Sequence, residues 1–272
     1  MTTMTTNVLD RPAPVGSLLR EWRQRRRLSQ LELSLGADVS TRHLSYVETG
    51  RSRPTSQMIL KLAERLDVPL RERNALLLAG GYAPAYPEHD LDSPDLGSVC
   101  AALRQVLAGH QPYPAVVVDR TWTLIDANPA IDLFTEDVAA HLLEPPANAL
   151  RLTLHPDGMA PRIANLGQWR AHLLGRLRHQ AEATADVALA ELYRELAGYP
   201  CADPEPEIDM AGPGSVVVPL RYRYQGVELS FFSTTAVFGT PLDVTVAELA
   251  IESFYPADDP TATYLRTRRP AS

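Results

Sequence analysis

Apolar residues in the first eighty positions recur every three or four residues, the spacing of a helix that buries one face. Leu18, Leu19 and Trp22 form the first such stripe. Ser29 followed by Glu32 is a capping box that predicts the start of a second helix, for which Leu31, Leu33 and Leu35 are the expected apolar residues. Similar stripes and caps follow as far as residue 79. The pattern predicts five short helices, enough for a small helical core.

The spacing changes after residue 95. One helical stripe at 95–108 and two between 165 and 196 alternate with segments rich in β-branched and aromatic residues. The expected strands are 115–119, 122–126, 215–224, 227–238 and 246–254, and Asn128-Pro129 opens a short helix between the second and third. Gln225-Gly226 is the expected turn between the third and fourth strands. The chain is therefore expected to combine an all-α domain with an α+β domain that has one antiparallel sheet of about five strands.

The 272 residues suit two domains. We expect a flexible arm at 1–15, a helical domain at 16–82 and an α+β domain at 95–265, followed by a tail at 266–272. The segment 83–94, with three prolines and three acidic residues, is expected to be a linker.

Charge is distributed unevenly between the two halves. Residues 1–82 contain 13 Lys and Arg against 8 Asp and Glu, a net charge of +5, whereas the remaining residues carry −12. A basic front half joined to an acidic back half indicates that only the front half approaches phosphate.

The motifs of the basic half identify a family. They are Leu28-Ser29-Gln30, Val39-Ser40, Leu44-Ser45, Glu48-x-Gly50-Arg51 and Pro54, within a match of about 65 residues that has no internal gap. This run resembles the phage-repressor-like, or XRE-family, helix-turn-helix regulators. Where that family usually has a small residue and a glycine before Val39, this chain has Gly36-Ala37-Asp38. The resemblance implies a sequence-specific transcriptional regulator that binds double-stranded DNA.

A recognition helix needs short or forked side chains on its outer face and apolar residues on its inner face, and residues 40–49 supply both. The expected base-reading residues are Thr41, Arg42, Ser45 and Tyr46. The expected phosphate contacts are Gln30, Ser40, Arg51, Arg53 and Arg26. The alternative for each arginine is a solvated surface charge, and Glu48 is expected to be structural. Because one such domain reads few base pairs, we expect a homodimer on a palindromic operator.

From Pro112 onward the chain resembles the ligand-binding domain of MmyB-like regulators, which has a PAS-like fold. The resemblance rests on residues 114–119 and 122–129, on Asn148-Ala149-Leu150-Arg151, on the helix that carries Trp169 and on the closing strands. It implies a cavity between sheet and helices for a fatty-acid-like ligand. Its expected apolar lining is Trp122, Leu124, Phe134, Trp169, Leu173 and Phe231. A polar head group would meet Asn128, Arg151 or His155. The same residues also suit a plain hydrophobic core, and Asn128 suits a helix cap.

Other functions receive less support from the sequence. It contains no Gly-x-Ser-x-Gly motif, phosphate-binding loop or Cys–His pairing motif, so neither an enzyme nor a cofactor is predicted. Cys100 and Cys201 lack metal or disulfide spacing, and His172 and His179 lack metal-ligating partners, so no metal site is expected. No apolar run is long enough to span a membrane and no signal peptide is evident, which favours the cytoplasm. One alternative remains open: the acidic half binds a partner protein and no ligand.

Overall fold

The structure is a computed structural model that describes residues 13–184, 186–203 and 218–268. These residues form two compact units. The first extends to Glu88 and includes Leu242–Val244, and the second comprises His89–Pro241 and the chain from Thr245 onward. The expected arm and tail, and the start of the third expected strand, lie largely outside the described residues.

The first unit is helical, as the spacing of its apolar residues predicted. Its helices are α1 (Val15–Arg25), α2 (Gln30–Gly36), α3 (Thr41–Glu48), α4 (Ser56–Arg65) and α5 (Leu70–Ala79). Leu19, Leu33, Leu44, Ile59 and Leu62 are fully buried where these helices meet. Structure continues past α5, because Asn74 hydrogen-bonds the backbone of Ala85 and Tyr86 within the expected linker.

Two of the three leucines of α2 are exposed. Leu31 is 57% and Leu35 73% exposed, while Leu33 is buried. A helix of seven residues presents only a narrow stripe to its neighbours, and residues two positions apart lie about 200° apart around its axis. Of the three, Leu33 therefore contributes to the core.

The second unit is α+β, with one five-stranded antiparallel sheet in the order β2-β1-β5-β4-β3, which confirms the predicted fold class. Its strands are β1 (Ala115–Val118), β2 (Leu124–Ala127), β3 (Leu220–Tyr224), β4 (Val227–Val237) and β5 (Ala250–Pro256). Its helices are α6 (Gly97–Gly109), α7 (Asp132–Thr135), α8 (Ala140–Leu143), α9 (Ala149–Leu154), α10 (Leu166–Thr184), α11 (Val187–Ala197), α12 (Val244–Ala247) and α13 (Asp259–Thr267), with 3-10 turns at Pro94–Leu96, Pro129–Ile131 and Ala160–Arg162.

Both faces of β1, an inner strand of the sheet, are covered, which explains its uninterrupted apolar sequence. Val116 and Val118 belong to the large core that includes residues of α7, α9, α10 and α11. Ala115 and Val117 belong to a smaller core that includes Leu103 and Leu107 of α6. A cavity can therefore form on the side of the sheet that has several helices.

Several strand boundaries differ from the prediction, and two of the differences have a clear physical reason. The second strand begins at Leu124 rather than at Trp122, because Trp122 has a φ of +66°, which no strand residue adopts. The last strand begins at Ala250, because Val244–Ala247 form a helical turn with Val244 fully buried. There, burial outweighed the strand preference of β-branched residues.

Candidate DNA interface and ligand cavity

The segment from α2 to α3 is set by local hydrogen bonds. Ser29 and Glu32 form the predicted capping box, and the Ser40 side chain accepts a hydrogen bond from the His43 amide at 3.1 Å. Between the helices Asp38 has a φ of +50°, the left-handed conformation that favours glycine. Asp38 therefore supplies the turn that aims α3 away from α2.

The exposed face of α3 gathers three of the predicted DNA contacts. Arg42 Nε donates to Tyr46 Oη at 3.0 Å, and its guanidinium lies 5.4 Å from the centre of the Tyr46 ring. The guanidinium of Arg51, just after the helix, lies 6.0 Å from the centre of the same ring. Leu44 and Val47 are fully buried on the opposite face. The helix thus presents two cations held around one phenol ring.

The other two predicted base-reading residues are Thr41 and Ser45. Thr41 Oγ1 is 2.7 Å from Ser34 Oγ, so its hydroxyl joins α3 to α2. Ser45 is half-buried and its carbonyl accepts from Thr49 Oγ1. Of these two residues, Thr41 is the one whose side-chain hydroxyl is hydrogen-bonded within the protein.

Arg26 and Arg53, two predicted phosphate contacts, are bound to the ends of helices. Arg26 donates to the carbonyls of Leu66 and Asp67 at 2.8 and 2.7 Å, just after α4. Arg53 donates to the Gly80 carbonyl at 2.8 Å, just after α5. Cations at helix C-termini complement the unpaired carbonyls and the helix dipole. Their contact with phosphate stays a prediction.

A buried ion pair holds α1 against α3. Arg23 donates to both carboxylate oxygens of Glu48 at 2.7 and 2.8 Å, and Gln30 Nε2 donates to Glu48 at 2.8 Å. The Glu48 side chain is 1% exposed. Burial raises the pKa of Glu48, but the hydrogen bonds from Arg23 and Gln30 outweigh it and hold that pKa below its usual value. The expected structural role of Glu48 is confirmed.

The sequence reasoning missed Arg23 and assigned Gln30 to phosphate alone. Gln30 has one amide hydrogen on Glu48, so its predicted phosphate contact would use the other. A signal for Arg23 was present, because it follows the buried Trp22 on the inner side of α1. A charged residue at such a position requires a buried partner.

The second unit contains an apolar cavity of about 60 Å³ between sheet and helices. Its sheet side is lined by Val116, Leu124, Leu220 and Phe254. The 3-10 turn, α7 and α9 contribute Ile131, Phe134, Thr135, Ala149, Leu152 and Thr153, and Met159 and Trp169 complete the lining. None of these side chains is charged.

Three of the six predicted apolar lining residues contact the cavity, namely Leu124, Phe134 and Trp169. Phe231 lies behind Phe134, with ring centres 5.3 Å apart, and Leu173 is buried in the surrounding core. The Trp122 indole donates to Gln180 at 3.0 Å and lies under the Arg176 guanidinium. The structure therefore places Trp122, Leu173 and Phe231 in the core outside the lining.

The three predicted polar contacts have other partners. Asn128 is 2% exposed, and its side chain bonds the backbone of Ala115, Leu107 and Tyr113. Asn128 occupies the N-cap position of the Pro129–Ile131 turn, but its side chain makes no capping hydrogen bond there. The expected side-chain cap was therefore wrong. These bonds instead connect the residue after β2 with the start of β1 and the end of α6.

Arg151 and His155 lie away from the lining. Arg151 forms two hydrogen bonds of 2.7 Å with Glu195 of α11. The ligand roles of Arg151 and His155 stay predictions. His155 lies near His141 and Asp157, with metal-ligating atoms within 4.8 Å of one another, and these three could hold a cation at the surface. His141 and Asp157 are exposed.

Residues 19–73 match the helix-turn-helix family model, and residues 99–267 match the model of the MmyB-like transcription regulator ligand binding domain. The second match spans more than half of the chain. The chain belongs to the MmyB-like transcription regulators. It has a helix-turn-helix DNA-binding domain followed by a ligand-binding domain, as the sequence resemblance implied.

Two further proteins are similar to this MmyB-like regulator. The uncharacterized HTH-type transcriptional regulator RghRB of Bacillus subtilis (strain 168) is 36% identical over 77 residues, which are 28% of this chain and 53% of the relative. This chain thus spans about half the length of that relative. The structure of an RNA-binding light-oxygen-voltage receptor matches at 15% identity over 94% of this chain and 61% of the other, with a TM-score of 0.29.

None of the described helices combines the length and the apolar character that crossing a bilayer requires.

Proposed function

We propose that this regulator reads its operator with the exposed face of α3. The observation that carries the proposal is the cluster of Arg42, Tyr46 and Arg51, in which a phenol ring holds two guanidinium groups on the solvent side of the helix. An arginine bidentate to guanine contributes about 1–3 kcal/mol of discrimination in a major groove. Arg42 supplies that contact, Tyr46 and Ser45 flank it, and Thr41 positions the start of the helix.

Phosphate contacts complete the interface. Arg51 lies past the end of α3, and Ser40 and Gln30 lie at the starts of α3 and α2, where amide groups and the helix dipole attract phosphate. Arg26 and Arg53 add positive potential from their positions at helix ends. The unit works as a homodimer on a palindromic operator in the cytoplasm, because one helix reads too few base pairs for specific binding.

The proposed input is a small apolar, fatty-acid-like molecule in the cavity of the second unit. Support comes from a lining that has no charged side chain and that includes the flexible Met159. Ligand sites usually measure 300–1,000 Å³, so a chain-like ligand must displace lining side chains of the 60 Å³ cavity. Because the ligand then binds an expanded state better than the compact one, it shifts the balance between them.

The DNA proposal is tested with operator fragments selected from random sequence by the full-length protein. The Arg42→Ala/Tyr46→Ala variant is expected to bind the selected fragment at least about tenfold more weakly. Its preference over unrelated DNA should also fall. Arg221→Ala, which removes the same charge from an exposed pair of the second unit, is the control and should change affinity little. Undiminished selectivity in the double variant contradicts the proposal.

The ligand proposal is tested by thermal unfolding of the full chain with decanoate and myristate. Binding raises the unfolding temperature of the second unit by mass action. Ala149→Leu, which fills the cavity, should abolish this rise, whereas Ala188→Leu on the exposed side of α11 should keep it. The absence of any rise with either acid, together with unchanged operator affinity, favours a protein-interaction module instead.

A further inference from the structure

Trp169, one of the residues that line the cavity, carries a buried polar atom. Its side chain lines the cavity and the residue is 3% exposed. Among the residues that the structure describes, no acceptor lies within hydrogen-bonding distance of its indole Nε1. Buried N–H groups without an acceptor are rare in folded proteins because they lose the hydrogen bond that water would provide.

The other polar side chains of the lining already donate within the protein. Thr153 Oγ1 donates to the Ala149 carbonyl at 2.7 Å, and Thr135 Oγ1 donates to the Ile131 carbonyl at 3.5 Å. Within the described lining, the Trp169 indole is thus the donor that remains for a ligand. Trp122, by contrast, has its indole bonded to Gln180 at 3.0 Å.

The cations beside Trp169 on the described part of α10 donate to other acceptors. Arg170, which is buried, donates to the Ala197 carbonyl at the end of α11 at 2.7 Å. The His172 ring lies 5.4 Å from the Trp169 ring. Burial, followed by the charge of Arg176, lowers the pKa of His172, which leaves the imidazole neutral at neutral pH. Arg176 donates to both carboxylate oxygens of Glu252 at 3.0 and 3.2 Å and to Thr235 at 2.6 Å.

A carboxylate placed against Trp169 would therefore receive one hydrogen bond from the indole, while Arg170 and Arg176 donate to other acceptors. Burying an unpaired anion in an apolar site is far more costly than burying a carbonyl that accepts one hydrogen bond. The site suits an acceptor without charge.

We propose that Trp169 Nε1 donates a hydrogen bond to an uncharged carbonyl of the effector. The effector is then an apolar chain with a ketone, ester, lactone or amide group inside the cavity, and any anionic group stays outside it. This inference rests on the proposed ligand function of the cavity and specifies the chemistry of the part that is buried.

The test uses three probes of equal chain length, 2-nonanone, nonane and nonanoate, with the full-length protein at neutral pH. The chain has three tryptophans, so its ¹⁵N spectrum has three indole signals, which Trp22→Phe and Trp169→Phe assign. We expect 2-nonanone to shift the Trp169 indole proton downfield and to bind about three- to tenfold more tightly than nonane. Nonanoate should bind more weakly than the ketone.

Trp169→Phe keeps an aromatic ring but removes the donor. It should bring the affinities for 2-nonanone and nonane within about twofold of each other, whereas Trp22→Phe in the first unit should preserve the preference. The shift in the unmodified protein is a separate readout should Trp169→Phe fail to fold.

The outcomes separate this inference from the proposed function. Equal binding of ketone and alkane with an unmoved Trp169 signal overturns the inference while the cavity remains a ligand site. Tightest binding of nonanoate with a shifted Trp169 signal overturns it in favour of a buried anion. Failure of all three probes to bind overturns the ligand function itself, and the inference with it.

Discussion

Replacing Glu48 with glutamine should destabilise the first unit more than any loss of an exposed ion pair. Glu48 is 6% exposed, and Arg23, at 9%, would keep its charge without a counter-charge. Removing one partner of a buried pair typically costs about 3–5 kcal/mol. A unit of this size has a free energy of unfolding of roughly 4–11 kcal/mol, from about 0.05–0.15 kcal/mol per residue. The variant should therefore lose a large part of its stability.

The measurement is urea unfolding of the full chain, followed by hydrogen exchange of peptides from α1 to α5, so that the first unit is observed by itself. Lys61→Gln is the control, because its pair with Asp38 at 3.2 Å is exposed and such pairs contribute at most about 1 kcal/mol. Arg23→Met combined with Glu48→Leu should recover much of the loss, since apolar residues can replace a buried pair. A loss below about 1 kcal/mol for Glu48→Gln would refute the reasoning.

The same carboxylate predicts an acid dependence. The pKa of Glu48 is held below its usual 4.5 in the folded state. A group with a lowered folded pKa contributes stability that is fully present above 4.5 and is lost as the pH falls through the folded value. The unfolding free energy of the first unit should therefore fall below about pH 4.5, and a pH series on Glu48→Gln should show a shallower fall.

Substitutions at three further positions test other parts of the structure. Because φ is +50° at Asp38, Asp38→Gly should stabilise the first unit by about 0.5–1 kcal/mol and Asp38→Ala should destabilise it. Shifts of the urea unfolding midpoint in the same direction for both variants would contradict this. Phe134→Ala should cost the second unit about 3–5 kcal/mol in chemical unfolding, since its ring contacts those of Tyr222, Phe231 and Phe254. Arg151→Ala should leave decanoate affinity within about twofold in a thermal-shift titration, because its exposed pair with Glu195 lies outside the cavity; a larger loss would restore Arg151 as a head-group contact.

The sequence by itself determined the helices of the first unit, the caps at Ser29 and Ser40 and the buried and exposed faces of α3. Each of these depends on interactions between residues within four positions of one another, so they are visible as spacing. The alternation along β3 and the turn at Gln225-Gly226 were visible for the same reason. Local motifs likewise identified both family domains.

Only the tertiary structure decided which residues face the cavity. Leu124, Phe134 and Trp169 line it, while Phe231 and Leu173 do not, although all five are apolar and part of one core. The choice depends on how β5, α9 and α10 meet across long sequence separations, which periodicity does not encode.

Long-range partners decided the polar residues in the same way. Arg26, Arg53 and Asn128 carry groups suited to DNA or to a ligand, yet each bonds backbone carbonyls that the fold brings to it. A polar side chain takes whichever unpaired group lies within about 3 Å, and that distance is set by packing rather than by sequence.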